Sequence, residues 1–297
     1  MLTIGTINIS ALIIMASVSI AQAAGYPQSH YLVDSTWLTG HLRDSNIRII
    51  DMSSDRKDYL SGHIPGAAYI HVNDIREVVP EGGYRLPEKA QIEKLLGGLG
   101  IRGDSMVVIY DDMGGLHASR LFFTLDVIGH KQMALLNGGI QEWRREGHPI
   151  EKGVVTPEAQ TYHGAERPDR VAAAEWIRDH LKDPSVVIVD SRSPAEYRGV
   201  DIRAKRGGHI PGARNINWVL SLNPDKTFKP ANELLSMYEK EGVSRNKTIV
   251  TYCQTHHRAS HTYFVLKLLG YDRVRGYDRS WSEWGNRDDL PVEGPED

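Results

Sequence analysis

The sequence predicts an α/β protein built from two consecutive copies of one domain, each a mainly parallel sheet flanked by helices. Two observations predict this fold class: long segments recur in the same order in both halves, and short apolar strands alternate with amphipathic helices in each half. Such alternation is typical of parallel sheets that are covered on both faces. The chain has 297 residues, which is enough for two domains of ordinary size.

The repeat is defined by segments that keep their order along the chain. The run "RIID" ends at Asp51 and "VIVD" ends at Asp190, and "GHIPGA" occurs twice, beginning at residues 62 and 208. Repeats this far apart indicate two whole domains rather than a solenoid of short units. The expected divisions are an N-terminal domain over 30–150, a polar linker with prolines over 151–170 and a C-terminal domain over 171–297.

Each copy predicts the same elements in the same order. A helix capped by Asp34 or Ser35 precedes the apolar strand that ends at Asp51. The motif "GHIPGA" follows; it lacks the Gly-Lys-Ser/Thr ending of a phosphate loop, so we interpret it as a structural turn. An amphipathic helix, "EKAQIEKLLGGLG" in the first copy, leads to a second apolar strand, "MVVIYD" or "TIVTYC". A loop then enters another helix.

The beginning of the chain differs from the rest. Residues 1–24 contain no charged side chain, are mostly apolar over Ile9–Ile20, and end with the small-x-small pattern Ala21-Gln22-Ala23. An apolar run too short to span a bilayer, followed by such a pattern, is typical of a secretory signal peptide. We therefore expect a periplasmic or secreted protein that is free of the membrane once the signal is removed.

The composition narrows the possible partners. The net charge of −3 gives no indication of nucleic-acid binding. No cofactor motif and no heptad repeat is present in the sequence, so we expect no cofactor and a monomer.

The chain has one cysteine, Cys253, within "TYCQTHHRAS". Exported proteins usually pair their cysteines, so an unpaired one suggests an intermolecular bond or a reactive thiol, with a small buried side chain as the structural alternative. Cys253 follows the second strand of the C-terminal copy, at the sheet edge where α/β folds bind ligands. We expect the next helix to begin near Ala259. Loop N–H groups and the helix N-terminus would then favour a thiolate and attract an anion.

The first copy lacks this chemistry. Asp111 stands at the cysteine position, and the loop is one residue longer, so either Leu116 or His117 corresponds to Arg258. Neither is an arginine, and an acidic loop repels anions. The sequence therefore predicts one active and one supporting domain, which explains why there is no second cysteine.

The tandem copies, "GHIPGA", the strand ending "VDSR" and the loop "CQTHHR" together resemble the rhodanese family, in particular an exported bacterial thiosulfate sulfurtransferase. The resemblance covers essentially all of the chain after the predicted signal. It implies two tandem rhodanese-like domains, of which the N-terminal one is inactive. It also implies an enzyme that moves sulfane sulfur from thiosulfate to cyanide or a thiol through a persulfide on Cys253.

Two arginines are the main candidates for binding thiosulfate, the sulfur donor. The resemblance makes Arg192, which follows "VDS", a ligand of the donor anion, and the first copy has Ser53 at this position. Arg258 is the last residue of the loop. Its planar guanidinium either binds the sulfonate of the sulfur donor or holds the loop together as a structural clamp. Asp190 is interpreted as structural because the first copy keeps it as Asp51.

The remaining substrate-binding candidates are the loop residues between the cysteine and this arginine: Gln254, Thr255, His256 and His257. His256 or His257 could donate a hydrogen bond to the sulfonate of the substrate or serve as a proton source. The alternative is that both occupy exposed loop positions without a role in catalysis. Trp218 is expected near the loop or in the core. A zinc site that combines the cysteine with the neighbouring histidines, including His261, fits no standard ligand spacing, so we expect no metal.

Three other functions remain open from the sequence. A cysteine phosphatase of similar fold has a loop one residue longer than the four residues between Cys253 and Arg258. A 3-mercaptopyruvate sulfurtransferase tends to have a small, neutral loop, whereas this loop is bulky and cationic, which favours a dianionic donor. A rhodanese-like sulfur-carrier or interaction module is the third alternative; domains that serve only as interaction modules have inactive loops, whereas this chain has the cysteine, its neighbouring cations and Arg192.

Overall fold

The computed structural model describes residues 25–294, so the predicted signal peptide and residues 295–297 lie outside the described part of the chain. The strands are β1 Leu32–Val33, β2 Ile47–Asp51, β3 Ala68–Tyr69, β4 Glu77–Val78, β5 Tyr84–Arg85, β6 Met106–Tyr110, β7 Met133–Leu136, β8 Val186–Asp190, β9 Arg214–Asn215, β10 Thr248–Tyr252 and β11 Val274–Gly276. The helices are α1 Ser35–His41, α2 Arg56–Ser61, α3 Lys89–Gly98, α4 Leu116–Val127, α5 Gly139–Arg145, α6 Ala174–Asp179, α7 Pro194–Tyr197, α8 Ala231–Lys240, α9 His257–Leu268 and α10 Ser280–Trp284. Within residues 25–294, no helix is both long and apolar enough to cross a membrane.

Two parallel sheets confirm the predicted α/β class. The N-terminal sheet has the order β1-β7-β6-β2-β3 and the C-terminal sheet the order β11-β10-β8-β9, and every pairing in them is parallel. A parallel bridge between Val171 and Gly276 takes the place of β1 in the second copy. The N-terminal domain also has a small antiparallel hairpin, β4–β5.

The two domains share a core along α4 and α9, the helices that follow the Asp111 and Cys253 loops. Phe122 of α4 meets Phe264 of α9 edge to face at 5.0 Å, and Phe123 meets Tyr263 in the same way at 5.0 Å. All four side chains belong to one apolar cluster that runs through both domains. Because the helices pack against each other, their N-terminal loops meet at the domain interface.

Most predicted boundaries agree with the structure, but α9 begins earlier than expected. The Asp34 side chain caps α1 by accepting the Trp37 N–H at 2.6 Å. The prediction that α9 begins near Ala259 was wrong, because the helix begins at His257. His256, the residue before the helix, has left-handed backbone (φ 55°). This one residue turns the chain into the helix, so the helix can start directly after it.

The motif "GHIPGA" joins each domain's last segment to its first strands. His63 exchanges backbone hydrogen bonds with Glu151 (2.9 Å each), and His209 does the same with Glu293 (2.8 and 3.0 Å). Both motifs therefore have a structural role, as expected. Glu151, which the sequence placed at the start of the linker, takes part in the ordered N-terminal domain.

Candidate active site at the domain interface

Cys253 is the first residue after β10 and lies at the carboxyl edge of the C-terminal sheet. Only 1% of its surface is exposed. The backbone is held by α10, since the Cys253 carbonyl accepts the Trp281 N–H (3.0 Å) and the Cys253 N–H donates to Ser280 Oγ (3.3 Å). The sulfur therefore has a fixed position at the start of the loop that leads to α9.

The loop after Cys253 presents backbone N–H groups that have no partner in the described part of the chain. The N–H groups of residues 254–259 donate to no atom in the part of the chain that the structure describes. The last of them belong to the first turn of α9, where the helix dipole adds positive potential. Consecutive donors of this kind form an anion-binding nest beside the sulfur.

The equivalent loop of the N-terminal domain shows what this geometry binds. Asp111 follows β6 as the cysteine follows β10, and its Oδ1 accepts the N–H groups of Met113 (2.9 Å) and Gly115 (2.8 Å). Its Oδ2 accepts those of His117 (2.7 Å) and Ala118 (2.9 Å). An anion therefore sits in the N-terminal nest, and it is supplied by the chain itself.

The structure also decides which residue corresponds to Arg258. The residue before each helix has left-handed backbone, Gly115 (φ 89°) before α4 and His256 (φ 55°) before α9. Counting from these two residues, His117 corresponds to Arg258, which is one of the two alternatives that the sequence left open. The N-terminal loop thus has a histidine where the cysteine loop has a permanent cation.

Arg258 is clamped by Glu196, which is not among the site residues predicted from the sequence. Arg258 Nη1 and Nη2 donate to Glu196 Oε2 (2.6 Å) and Oε1 (2.8 Å), which makes a bidentate ion pair. Burial alone would raise the pKa of Glu196, but the Arg258 bond and charge lower it to about 2. Burial acts to lower the pKa of Arg258, yet the Glu196 bond and the nearby Cys253 raise it above its usual value. The clamp keeps a positive charge beside the cysteine.

Arg192 is engaged within the protein rather than directed at the cysteine loop. Its Nε and Nη2 donate to Asp190 Oδ2 (2.9 and 2.6 Å), and Nη2 also donates to the Gly208 carbonyl (2.8 Å). The Trp281 ring lies 4.5 Å from the guanidinium, and 1% of Arg192 is exposed. Asp190 anchors this loop, since it also accepts the Arg192 N–H (2.9 Å). This placement argues against the expected contact of Arg192 with the donor anion.

His256 points into the domain interface. Its Nδ1 lies 3.1 Å from Ser260 Oγ and 3.4 Å from Arg120 Nη1, and its ring packs on Phe123 at 4.4 Å. Burial, followed by the charges of Arg120 and His257, lowers the pKa of His256 well below its usual value. Because Ser260, Arg120 and Phe123 engage the ring within the interface, its position argues against the expected role as a substrate ligand.

His257 faces the N-terminal domain across the interface. Its ring stacks on His117 at 4.9 Å, and its Nε2 is buried without a hydrogen-bond partner among the described residues. Burial, followed by the neighbouring His117, Arg76 and Arg120, lowers the pKa of His257 well below its usual value. The N-terminal domain therefore contributes basic side chains next to the loop, of which Arg120 is paired with Asp278 of the C-terminal domain.

Gln254 and Thr255 are half-buried in the loop itself. Gln254 Nε2 donates to the Arg203 carbonyl (3.0 Å), and the Gln254 carbonyl accepts the Ser282 N–H (2.9 Å). The Gln254 side chain thus holds the loop, while its N–H remains available to an anion.

Trp218 is half-buried and lies near α9, with its ring edge-on to His261 at 5.1 Å. His261 Nε2 lies 3.1 Å from the Gly114 carbonyl of the N-terminal loop, and burial lowers the pKa of His261 to about 4. Among residues 25–294, no group of three or more His, Cys, Asp or Glu side chains is placed to hold a metal ion.

Comparison with known proteins follows the same division into two copies. The family described as Rhodanese-like domain matches residues 34–146 and 173–287. The chain belongs to the rhodanese family. A relative named thiosulfate sulfurtransferase, from Azotobacter vinelandii, is 36% identical over 262 residues, which is 88% of this chain and 96% of the relative. The sulfur carrier protein TtuD of Thermus thermophilus is 38% identical over 287 residues, which is 90% of this chain and 98% of that protein.

A solved structure of EanB with ergothioneine and a cysteine persulfide has a similar fold. Its TM-score is 0.84 at 26% identity, and the match covers 92% of this chain and 72% of that chain.

Four residues that hold the cysteine loop of this rhodanese in place were not predicted from the sequence. Two of them had a local sequence signal, and two had none. Ser193 and Glu196 form a capping box at the start of α7, which "SPAEY" indicates, although nothing in that pattern indicates Arg258 as a partner. Ser280 and Arg120 reach the site only through tertiary packing, so sequence reasoning missed both.

Proposed function

We propose that this rhodanese is a thiosulfate sulfurtransferase in which Cys253 carries the transferred sulfur as a persulfide. The observation that carries the proposal is the pair of nests. In the N-terminal domain the nest holds the Asp111 carboxylate through backbone N–H groups of the loop. In the C-terminal domain the equivalent loop surrounds a cysteine, and its N–H groups have no partner among residues 25–294. The names of the relatives support thiosulfate as the donor.

In the first step, the Cys253 thiolate attacks the outer sulfur of thiosulfate. A bond forms between the two sulfurs, the bond between the two sulfurs of thiosulfate breaks, and its electron pair leaves with sulfite. Charge is conserved, and no oxidant is consumed. The nest and the Arg258 charge offset the repulsion between the thiolate and the dianion, and both remain to stabilise the persulfide anion.

In the second step, cyanide or a thiolate attacks the outer sulfur of the persulfide. A bond forms from the acceptor to this sulfur, the bond to the Cys253 sulfur breaks, and the Cys253 thiolate is regenerated. The products are thiocyanate or an acceptor persulfide. We assign no separate base to this step, because the attacking group in the first step and the leaving group in the second are both the thiolate itself.

The donor contacts that this geometry favours are mostly backbone contacts. The N–H groups from Gln254 to Ala259 meet the anion, and Arg258 supplies the fixed charge behind them. His257, whose buried Nε2 has no partner among the described residues, is the one loop histidine placed to take part. Arg192 and His256 support the loop from behind.

The test is sulfite release without an acceptor. Mixing the protein with excess thiosulfate should release an amount of sulfite equal to the amount of protein in a single burst. Each chain has one cysteine, and without an acceptor the sulfur stays on that cysteine and blocks a second turnover. Adding cyanide should restart turnover. Cys253→Ser should give no burst, and a burst in that variant would refute the proposal. Replacing thiosulfate by 3-mercaptopyruvate should give a smaller rate of sulfur loading; a faster rate would assign the donor to the alternative reaction.

Export also remains a proposal that rests on residues 1–24. Expression of the whole chain followed by cell fractionation and N-terminal sequencing tests it. The expected result is a periplasmic or secreted protein that begins near Ala24, and an uncut protein in the cytoplasm would contradict it.

A further inference from the structure

The C-terminal domain carries a loop that the N-terminal domain lacks. The offset between the copies is 139 at Asp51 and Asp190 but 146 at the two "GHIPGA" motifs, so seven extra residues lie between these points. They fall within residues 199–207, between α7 and the second motif, which we call the insertion loop. Because only the copy with the cysteine has this loop, it is a candidate for a role in the chemistry of that copy.

The insertion loop is fixed directly against the catalytic loop. The carbonyl of its Arg203 accepts a hydrogen bond from Nε2 of Gln254, the residue after the cysteine (3.0 Å). Arg203 Nη1 also lies 3.7 Å from Oε1 of Glu196, the carboxylate that clamps the loop arginine. On its other side, the Lys205 N–H donates to Asn286 Oδ1 (2.7 Å). The loop therefore has a defined shape beside the active site.

This fixed loop holds two large aliphatic side chains in water. Val200 is 73% exposed and Ile202 is 59% exposed. Arg198, at the end of α7, is exposed too and makes no ion pair or side-chain hydrogen bond in the described part of the chain. Exposed aliphatic side chains next to an active site, with a cation at their border, are the features of a surface that contacts another molecule.

Beside this surface lies a groove that reaches the N-terminal domain and is lined largely by charged side chains: Glu81, Arg85, Arg279, Glu283 and Arg287. The β4–β5 hairpin presents Val78, which is 77% exposed, and this residue lines the groove together with Ser282 and Asn286 of the C-terminal domain. Ser282 binds the Gln254 carbonyl, and Asn286 binds the insertion loop. The groove and the insertion loop are thus neighbours, and both adjoin the catalytic loop.

We propose that the insertion loop and this groove form the docking surface for a polypeptide sulfur acceptor, a protein thiol whose cysteine has apolar neighbours and an acidic residue. This inference rests on the proposed function, because a docked thiol needs the Cys253 persulfide to receive sulfur. Cyanide and thiosulfate are too small to contact Val200 or Ile202 while they react at the cysteine. A polypeptide is large enough to cover both side chains and to place a carboxylate near Arg198.

Sulfur transfer to the docked acceptor needs no further reactant. The acceptor thiolate attacks the outer sulfur of the persulfide, a bond forms between acceptor sulfur and transferred sulfur, and the bond to Cys253 breaks. The Cys253 thiolate leaves with that electron pair. The acceptor becomes a persulfide, and neither oxidant nor reductant is needed.

The test uses the full-length protein, loaded with thiosulfate, and two synthetic peptide thiols. Both peptides have a central cysteine and two outer glutamates; one has leucines next to the cysteine and the other has serines. The measured quantity is the second-order rate constant for loss of the protein persulfide, with cyanide as a third acceptor. The variants are Val200→Ser/Ile202→Ser and, as the matched control, Val154→Ser, an aliphatic residue of the linker that is 60% exposed.

The unaltered protein and Val154→Ser should both react about tenfold faster with the leucine peptide than with the serine peptide, as partial burial of two aliphatic side chains predicts. Val200→Ser/Ile202→Ser should lose most of this preference and keep its rate with cyanide. Equal preference in both proteins, or no preference in the unaltered protein, would overturn the docking surface. A parallel fall in the cyanide rate would also overturn it, because the loop would then serve only to hold the active site. If cyanide removes no sulfur even from the unaltered protein, the proposed function itself fails.

Charge provides a second arm of the same experiment. Replacing the two glutamates of the leucine peptide by glutamines should slow transfer several-fold at low salt, and Arg198→Gln should remove that difference. If Arg198→Gln leaves the difference unchanged, the acceptor has no acidic contact at this site and that part of the proposal is wrong.

Discussion

At the scale of single residues, the two arginines of the site have different tasks. Arg192 is buried against Asp190, whereas Arg258 is partly accessible and keeps its charge next to the cysteine. Both are held by carboxylates. The sequence indicated arginines near the sulfur, but their partners determine which of them can meet a substrate.

Arg192→Ala should destabilise the protein because it leaves Asp190, which is 0% exposed, without a cation. The expected loss is about 3 kcal/mol in the free energy of unfolding, measured by urea denaturation. Molecules that remain folded should retain most of their kcat/KM for thiosulfate. The double variant Asp190→Asn/Arg192→Ala should recover part of the stability. A stable Arg192→Ala protein with kcat/KM lowered more than about tenfold would mean that Arg192 binds the donor.

Glu196→Gln should weaken the loop clamp in a pH-dependent manner. The pKa of Glu196 is about 2 in the folded protein and 4.5 in a free side chain, so its stabilisation is complete above pH 4.5 and is lost as the pH falls through 2. The shift corresponds to on the order of 3 kcal/mol at pH 7. Unfolding measured from pH 7 to pH 3 should show the gap between the unaltered protein and Glu196→Gln becoming smaller.

The exposed Glu239→Gln on α8 serves as the control and should change little at any pH. A Glu196→Gln protein whose deficit stays the same from pH 7 to pH 3 would show that the charge of Glu196 does not support Arg258.

At the scale of elements, one strand–loop–helix unit serves two purposes. In the N-terminal copy, the loop before α4 closes around its own carboxylate. In the C-terminal copy, the loop before α9 is one residue shorter and surrounds a thiol. The same strand–loop–helix arrangement therefore gives a structural loop when the anion is internal and a reactive loop when the residue is a cysteine.

Asp111→Ala and Cys253→Ser should differ strongly in their effect on stability. Asp111→Ala removes the acceptor of several buried N–H groups, which should cost about 3 kcal/mol or more. Cys253→Ser removes no such acceptor and should cost less than about 1 kcal/mol. Equilibrium unfolding in urea measures both. Equal stability of the two variants would mean that the Asp111 bonds do not hold the N-terminal loop.

At the scale of the whole molecule, the inactive copy is part of the active site. The shared apolar cluster along α4 and α9 brings His117 and Arg120 next to the histidines of the cysteine loop. A rhodanese with one reactive cysteine therefore still needs both domains to bury and position its loop.

Much of this arrangement followed from the sequence because local patterns determine it. The apolar strands, the repeated "GHIPGA" turns and the position of Cys253 at a sheet edge all depend on residues close together in the chain. The contacts that orient the loop do not. Glu196 and Arg258 are 62 residues apart, and Arg120 and His256 are 136 apart and in different domains. No periodicity or motif predicts such pairs. From the sequence, His256 and Arg192 were therefore expected at the substrate, whereas in the structure they pair with Arg120 and Asp190.

The central claim is that Cys253, and no other group, carries the sulfur. Intact-protein mass spectrometry after treatment with thiosulfate, before and after cyanide, tests it most directly on the unaltered protein, on Cys253→Ser and on Cys253→Ser/Asp111→Cys. We predict that the unaltered protein gains the mass of one sulfur atom, that cyanide removes it, and that neither variant gains any, because His117 stands where Arg258 would be needed. A sulfur adduct on Cys253→Ser, or on the variant with a cysteine in the N-terminal nest, would contradict the account.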